Sequence, residues 1–383
     1  MIPKPPEHVA TITDADTLRT FTQRMRERDW IAVDTEFLRE RTYYPKLCLV
    51  QIADSEEIGL IDVIAINELS PLADLLYDHS VLKIFHSAEQ DLEVLNQRFG
   101  GVPAPIFDSQ VAAPLVGYDD QMGYARLISG LLHVDLDKAH TRTDWSKRPL
   151  PPAALDYAAD DVRYLAVAYI ALRDELVARE RLDWLTPDFE HLADATRFDI
   201  DPWQAWRRLR HWHRLKPTQQ QILAELAAWR EREAMTADRP RKWILSDDAI
   251  MDIARGAPAD SQALAAIDTV APKTAGRHGQ ALLDAAARGL EKPATPLAAP
   301  PTRPDGREKR LVKAGMARLE ECAATTGIAA SAIASRKAIA ALVAGERDTR
   351  LLTGWRHHAA GGEVLAAIEQ AAADEDAAGS GNN

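Results

Sequence analysis

Asp34 and Glu36 stand two residues apart, behind the apolar run Trp30-Ile-Ala-Val33 and ahead of Phe37-Leu38. If that run is a strand, residues i and i+2 project from one face, so both carboxylates enter the same space. Paired carboxylates are hard oxygen donors. They suit Mg²⁺ or Mn²⁺ and leave coordination positions open for substrate phosphate oxygens. The spacing alone is not distinctive, since Asp91-Leu-Glu93 and Asp188-Phe-Glu190 share it. The apolar flanks are what separate Asp34 and Glu36 from an ordinary solvated pair. A second group is His86-Ser-Ala-Glu-Gln-Asp91. Asp91 falls near the start of a helical pattern, where the helix dipole favours an acid whatever its chemistry. The third group is Tyr157-Ala-Ala-Asp160-Asp161. On a helix, Tyr157 and Asp161 at i and i+4 share a face, and Asp160 lies near it. Taken singly, each group also reads as solvated acids, a helix cap or a structural histidine.

The elements that must carry these groups follow from periodicity. Trp30–Val33, Leu47–Ala53, Ile58–Val63 and Leu82–Phe85 are short apolar, β-branched runs and predict strands. The second and third are separated by a polar turn and predict an antiparallel hairpin. Leu72–Tyr77, Asp91–Phe99 and Leu155–Leu176 predict helices, the last opened by Pro151 and Pro152. Residues 1–200 therefore predict an α/β domain with a mixed sheet. Beyond Trp203 the strand pattern stops. Residues 205–290 and 307–373 predict two all-α domains, joined by the proline-rich linker 293–306 and followed by a disordered tail, 374–383. With 46% hydrophobic and 27% charged residues, the 383-residue chain is not wholly disordered, and no apolar run approaches the ~20 residues of a membrane helix. Two cysteines cannot build a disulfide framework or a four-cysteine zinc site, which points to the cytoplasm.

The three acidic groups taken together, in this order, resemble the DEDD superfamily of 3′→5′ exonucleases, in the subgroup with a Tyr-x-x-x-Asp motif. The likeness extends to Thr42-Tyr-Tyr-Pro45, Leu49-Val-Gln-Ile52, Asp144-Trp-Ser-x-Arg148-Pro-Leu150 and Asp91-Leu-Glu-Val94, which resemble the ribonuclease D family. It covers residues 10–200 densely. It continues through Trp206-Arg-Arg-Leu209, Arg214-Leu-Lys-Pro217, Trp229-Arg-Glu-Arg-Glu233 and Pro240-Arg-x-Trp243, which resemble the HRDC domain that follows the nuclease in that family. The resemblance implies a ribonuclease H-like nuclease domain and two HRDC-type helical domains, the second diverged. It implies that Asp34 bridges two divalent metal ions, Mg²⁺ or Mn²⁺. Glu36 and Asp161 hold the metal that carries the attacking water, Asp91 supports the other, and Tyr157 hydrogen-bonds the water. Where this chain has Asp160, the family usually has a small residue, so Asp160 could share the site.

The resemblance also implies substrates: RNA 3′ ends, precursor tRNA among them, released as 5′-mononucleotides by a monomeric enzyme. Phe37, Tyr44 and His86 are candidate contacts to the terminal nucleotide, since aromatic stacking on a base contributes ~1–3 kcal/mol. Lys138, Arg142, Lys147 and Arg148 could meet phosphates. The net charge of −12 argues against nucleic acid, but residues 203–243 hold ten Lys/Arg against four acids. Arg207, Arg208, Arg214 and Lys216 in that basic segment are candidate RNA contacts. Two other readings stay open at this level: a DNA exonuclease of the same superfamily, and a catalytically silent RNA-binding protein.

Overall fold

The computed structural model describes residues 4–136, 143–298 and 304–380, so Lys138 and Arg142 lie outside the described residues. Contacts divide the chain into two units. The first holds residues up to Phe37, Leu47–Arg197 and Arg303 onward; the second holds Leu38–Lys46 and Phe198–Thr302.

The first unit is built on a six-stranded sheet. Its strands are β1 (His8–Ile12), β2 (Trp30–Leu38), β3 (Lys46–Ala53), β4 (Glu57–Ile61), β5 (Leu82–Phe85) and β6 (Ile106–Asp108), ordered β1-β4-β3-β2-β5-β6. The predicted hairpin is present as antiparallel β3–β4, with Val50 opposite Ile61. β1 on β4, and β5 on β2 and β6, are parallel, so the sheet is mixed as the pattern predicts. β3 is buried from Leu47 to Ala53, which explains its continuous apolar sequence. β2 is longer than predicted. Acids are rare in strands, so Asp34 reads as a stop; in the fold the strand runs on through Asp34, Thr35 and Glu36 to Leu38. β5 pairs with it only over Trp30–Ala32.

Helices cover this sheet: α1 (Ala15–Met25), α2 (Ser70–Leu76), α3 (Glu89–Phe99), α4 (Ser109–Ala112), α5 (Tyr124–Leu132), α6 (Pro152–Ala178) and α7 (Thr186–Leu192). β1, α1, β6 and α5 lie outside the elements predicted from the sequence, although α1 is amphipathic and capped by Asp14. β1 buries one residue, Ile12, and β6 has three residues, too few for a period.

The second unit contains α8 (Pro217–Ala237), α9 (Arg241–Ile244), α10 (Asp247–Gly256), α11 (Ser261–Ala265) and α12 (Pro272–Glu291). Its core includes Trp206, Ile222, Leu226, Ile250 and Leu282, with Trp212 and Trp229 packed against it. Trp203 and Trp243 are exposed and carry cations over their rings, Arg232 and Lys292 on the first and Arg239 on the second. Part of the proline-rich segment is held down here: Gln221 donates to Thr295 O and Leu297 N–H donates to Gln220. α12 crosses α8 at Gly289, where an added Cβ would sit 2.4 Å from Ile222 Cα. No rotamer relieves a contact with backbone. Gly289→Ala is therefore expected to destabilise this unit by ~1–3 kcal/mol. Urea denaturation checks it, and an unchanged midpoint would contradict so close a crossing.

The chain then returns to the first unit with α13 (Gly306–Thr326), α14 (Ala330–Ile333), α15 (Arg336–Val343), α16 (Gly354–Arg356) and α17 (Gly362–Ser380). Asp188 of α7 fastens them. It is 4% exposed, accepts the Trp355 indole N–H at 2.8 Å and Arg356 at 2.9 Å, and pairs with Arg350. Arg181 adds bonds to Leu115 O and Thr326 O at 2.6 and 2.8 Å. The expected disordered tail is corrected over 374–380. α17 continues to Ser380, because its alanines favour helix and its acids find partners on α13, Glu375 with Arg310 and Asp376 with Arg307.

Candidate active site

Three of the predicted acids converge. β2 presents Asp34 and Glu36, and α6 presents Asp161; one carboxylate oxygen from each lies within 4.8 Å of the other two. The pleat explains the first pair and the helix face the third. Asp91 is not part of that trio. It sits in the first turn of α3, 7% exposed, and accepts the Thr35 hydroxyl at 2.5 Å. Thr35, between the two acids of β2, thus ties that strand to α3. The start of α3 is fixed from β6. Asp108 accepts the backbone N–H groups of Ser87 and Ala88 at 3.0 and 2.8 Å, which holds the chain just ahead of the helix.

These carboxylates sit badly without a counter-charge. Burial and mutual repulsion push Glu36 up to about 10 and Asp161 up to about 9, and burial pushes Asp34 up to about 7. Asp91 is also raised, by burial and by Asp34. An all-oxygen donor set of this charge, with neither His nor Cys in the cluster, fits a hard divalent cation. Asp34, Glu36 and Asp161 would hold such an ion, which when bound neutralises a phosphodiester and makes water a better nucleophile.

Tyr157 lies one turn before Asp161 on α6 and hydrogen-bonds to it. Burial, Asp161 and Glu36 raise its phenol well above the usual value. It therefore stays protonated and can donate, which matches orientation rather than base catalysis. Asp160 is turned to another task. Its carboxylate pairs with Arg163, so the structure leaves Asp161 as the α6 acid of the trio.

The pocket around these groups has a volume of about 560 Å³. His86 lines it, with Nδ1 2.9 Å from the Ser109 hydroxyl, which donates to Phe85 O at 3.1 Å. Tyr124 and Arg126 of α5 line it too, and sequence reading missed both. Tyr124 donates its hydroxyl to Asp160 O at 3.0 Å and its ring lies 5.4 Å from that of His86. The one available signal was Gly123 ahead of an amphipathic Tyr-Ala-Arg-Leu-Ile run.

Other predicted contacts are placed elsewhere. Arg148 spends its guanidinium on both oxygens of Asp62, on Cys48 O at 2.9 Å, and on Trp145 O and Lys147 O at 2.7 and 2.8 Å. It is a strut joining β3, the segment after β4 and the loop before α6. Phe37 and Tyr44 are not among the pocket's lining residues; Tyr44 packs edge-on against Tyr43 at 4.8 Å. In the second unit Arg207 lies over Trp206, Arg208 bonds Glu231, and Arg214 and Lys216 are exposed.

The 3′-5′ exonuclease family profile matches residues 9–177, and the HRDC domain profile matches residues 219–285. Ribonuclease D of Gluconacetobacter diazotrophicus is 39% identical over 363 residues, spanning 93% of this chain and 91% of that protein. Ribonuclease D of Acidiphilium cryptum is 38% identical over 95% of this chain and 94% of its own length. Among solved structures, RNase D of Escherichia coli, described as an exoribonuclease involved in structured RNA processing, superposes with a TM-score of 0.84. It is 29% identical and the match covers 95% of this chain and 99% of that one. With its acids and tyrosine gathered at one pocket and these relatives spanning nearly its whole length, the chain belongs to the ribonuclease D family of metal-dependent 3′→5′ exoribonucleases.

Proposed function

We propose that this protein trims the 3′ ends of structured RNAs, precursor tRNA among them, and releases 5′-mononucleotides with the help of two divalent ions, Mg²⁺ or Mn²⁺. The observation that carries the reading is the trio Asp34, Glu36 and Asp161, with Tyr157, in a pocket of about 560 Å³. That volume is of the size that takes a single nucleotide at a strand end. Asp91, held by Thr35, serves the second ion. His86 contacts the terminal nucleotide, and Phe37 and Tyr44 act on the strand just behind it.

A cavity of about 1020 Å³ in the second unit supports RNA binding there. Among the described residues six cations, Arg210 and Arg255 among them, line it against three acids, Asp247, Asp248 and Asp252. The excess of positive charge gives sequence-independent affinity for phosphates. Arg207, Arg214 and Lys216 extend the exposed basic surface. Residues 307–373 are a diverged second HRDC-like module. The protein works as a monomer in the cytoplasm; Cys48 and Cys322 are both buried, and no helix of the described residues is long and apolar enough to cross a membrane.

The test is an assay on RNA with a free 3′ hydroxyl, the same RNA blocked by a 3′ phosphate, and a matched DNA, each with and without EDTA. Metal-dependent mononucleotide release from the free RNA end supports the reading. Equal release from DNA would favour the DNA exonuclease. RNA binding without release would favour a silent binding protein.

A further inference from the structure

Three of the sequence motifs have no part in the acidic pocket: Thr42-Tyr-Tyr-Pro45, Trp229-Arg-Glu-Arg-Glu233 and Pro240-Arg241. All three lie in the second unit, and they meet at one carboxylate. Glu231, on α8, has no exposed surface. It accepts the Tyr43 hydroxyl at 2.5 Å and Arg208 at 3.1 Å, and Arg241 spans its two oxygens at 2.6 Å each. Arg241 also donates to the Tyr43 oxygen at 2.9 Å, and its guanidinium carbon lies 4.5 Å from the Tyr43 ring centre. A second anchor comes from the end of the same helix. Asp238 accepts the backbone N–H groups of Tyr43 and Tyr44 at 3.0 and 3.1 Å. The Thr42 hydroxyl closes the loop onto Tyr44 O at 2.6 Å.

A buried carboxylate with four donors is a committed arrangement, because removing a partner leaves an uncompensated charge. Burial opposes ionisation of Glu231, but Arg241, the Tyr43 hydroxyl and Arg208 outweigh it and hold the carboxyl below its ordinary range. The loop it grips is the direct continuation of β2, the strand that carries Asp34 and Glu36. On its β5 side that strand loses its pairing after Ala32. β3 flanks β2 on its other side, so the end that bears the acids is held by one neighbouring strand and by the loop that follows it.

We propose that Glu231 and Tyr43 are positioning residues for the exonuclease reaction: their hydrogen bond fixes the loop after β2 and so sets the placement of Glu36 and Phe37. Neither residue lines the pocket. The effect runs along the chain, and small misplacements at a reacting centre are expensive in rate. Arg208 and Arg241 also line the larger cavity of the second unit. This inference rests on the exonuclease reading above.

The test uses the full-length chain and Tyr43→Phe, which removes one hydroxyl. Steady-state trimming of a 3′-hydroxyl RNA should show kcat down about tenfold with KM unchanged, and at most a small fall in the unfolding midpoint because Arg241 still pairs Glu231. Adding Glu231→Ala to Tyr43→Phe should lower kcat no further than Glu231→Ala alone, because both break one link. Amide hydrogen exchange should quicken in peptides covering 34–46. A wild-type kcat for Tyr43→Phe overturns the proposal, as does a loss of kcat that adds in the double variant. If Glu231→Ala fails to fold, the kcat and exchange of Tyr43→Phe decide alone. Absence of mononucleotide release from the wild-type chain would instead sink the exonuclease reading, a separate result.

Discussion

Asp34→Asn is expected to lower nucleotide release by at least ~10³-fold and, in the same protein without metal, to raise thermal stability. The two effects have one cause. Asp34 contributes an oxygen to the trio and also repels Glu36, Asp161 and Asp91. Removing its charge removes a ligand whose interaction with a divalent ion no amide replaces, and cation stabilisation of a reacting phosphate is among the largest catalytic effects. It also removes a repulsion that the metal-free fold must bear. The pH dependence follows. Folded carboxyls raised to about 7, 9 and 10 retain protons that an unfolded chain has released near pH 4. Stability of the metal-free protein should therefore fall as pH rises from about 4 toward those values. Asp34→Asn should flatten that fall. Mn²⁺ should raise the unfolding midpoint of wild type strongly and of the variant weakly. Calorimetry over a pH series in EDTA, then with Mn²⁺, reads all of this. A variant less stable than wild type at pH 8 without metal would contradict the repulsion.

Tyr157→Phe is expected to cost about 10²-fold in kcat with RNA affinity intact. The phenol is kept protonated by burial and by the acids around it, and it hydrogen-bonds Asp161. It can orient an attacking water only as a partner of fixed protonation. The pH–rate profile of the variant should thus be displaced downward and otherwise parallel to that of wild type. If Tyr157 were the base, the wild type would carry a limb that the variant lacks, and that outcome would reject the orienting role.

Much of the site was legible because its residues obey local periods. Asp34 and Glu36 follow the pleat of a strand, and Tyr157 and Asp161 the turn of a helix, so each pair declares a shared face before any fold is known. What joins the pairs was not legible. Thr35 meets Asp91 across 56 positions, and no spacing rule reaches that far. Arg148 reads as a free cation because its partner Asp62 is 86 residues away. Tyr43 reads only as part of the Thr42-Tyr-Tyr-Pro45 motif. Its partner Glu231 is 188 residues distant, which turns a loop tyrosine into part of a helical unit. Spacing from Tyr157 favours Asp161 over Asp160, but what occupies Asp160, its pairing with Arg163, is not legible from it. Of the fold, the mixed sheet and the switch to helices were readable from patterning. β1 and β6 were not, since an edge strand and a three-residue strand have little period to show.

The grip of Asp188 on Arg350, Trp355 and Arg356 also bears on the order in which the protein is made. The partners of this carboxylate come 162 to 168 residues after it in the chain. At ~5–20 residues per second, a ribosome needs on the order of 8–30 s to deliver them. For that interval Asp188 has none of its partners, and the whole second unit emerges before the first can be finished. The two units therefore complete in reverse order of their beginnings, and a chain ended after residue 302 would hold the catalytic motifs in a body lacking its final clasp.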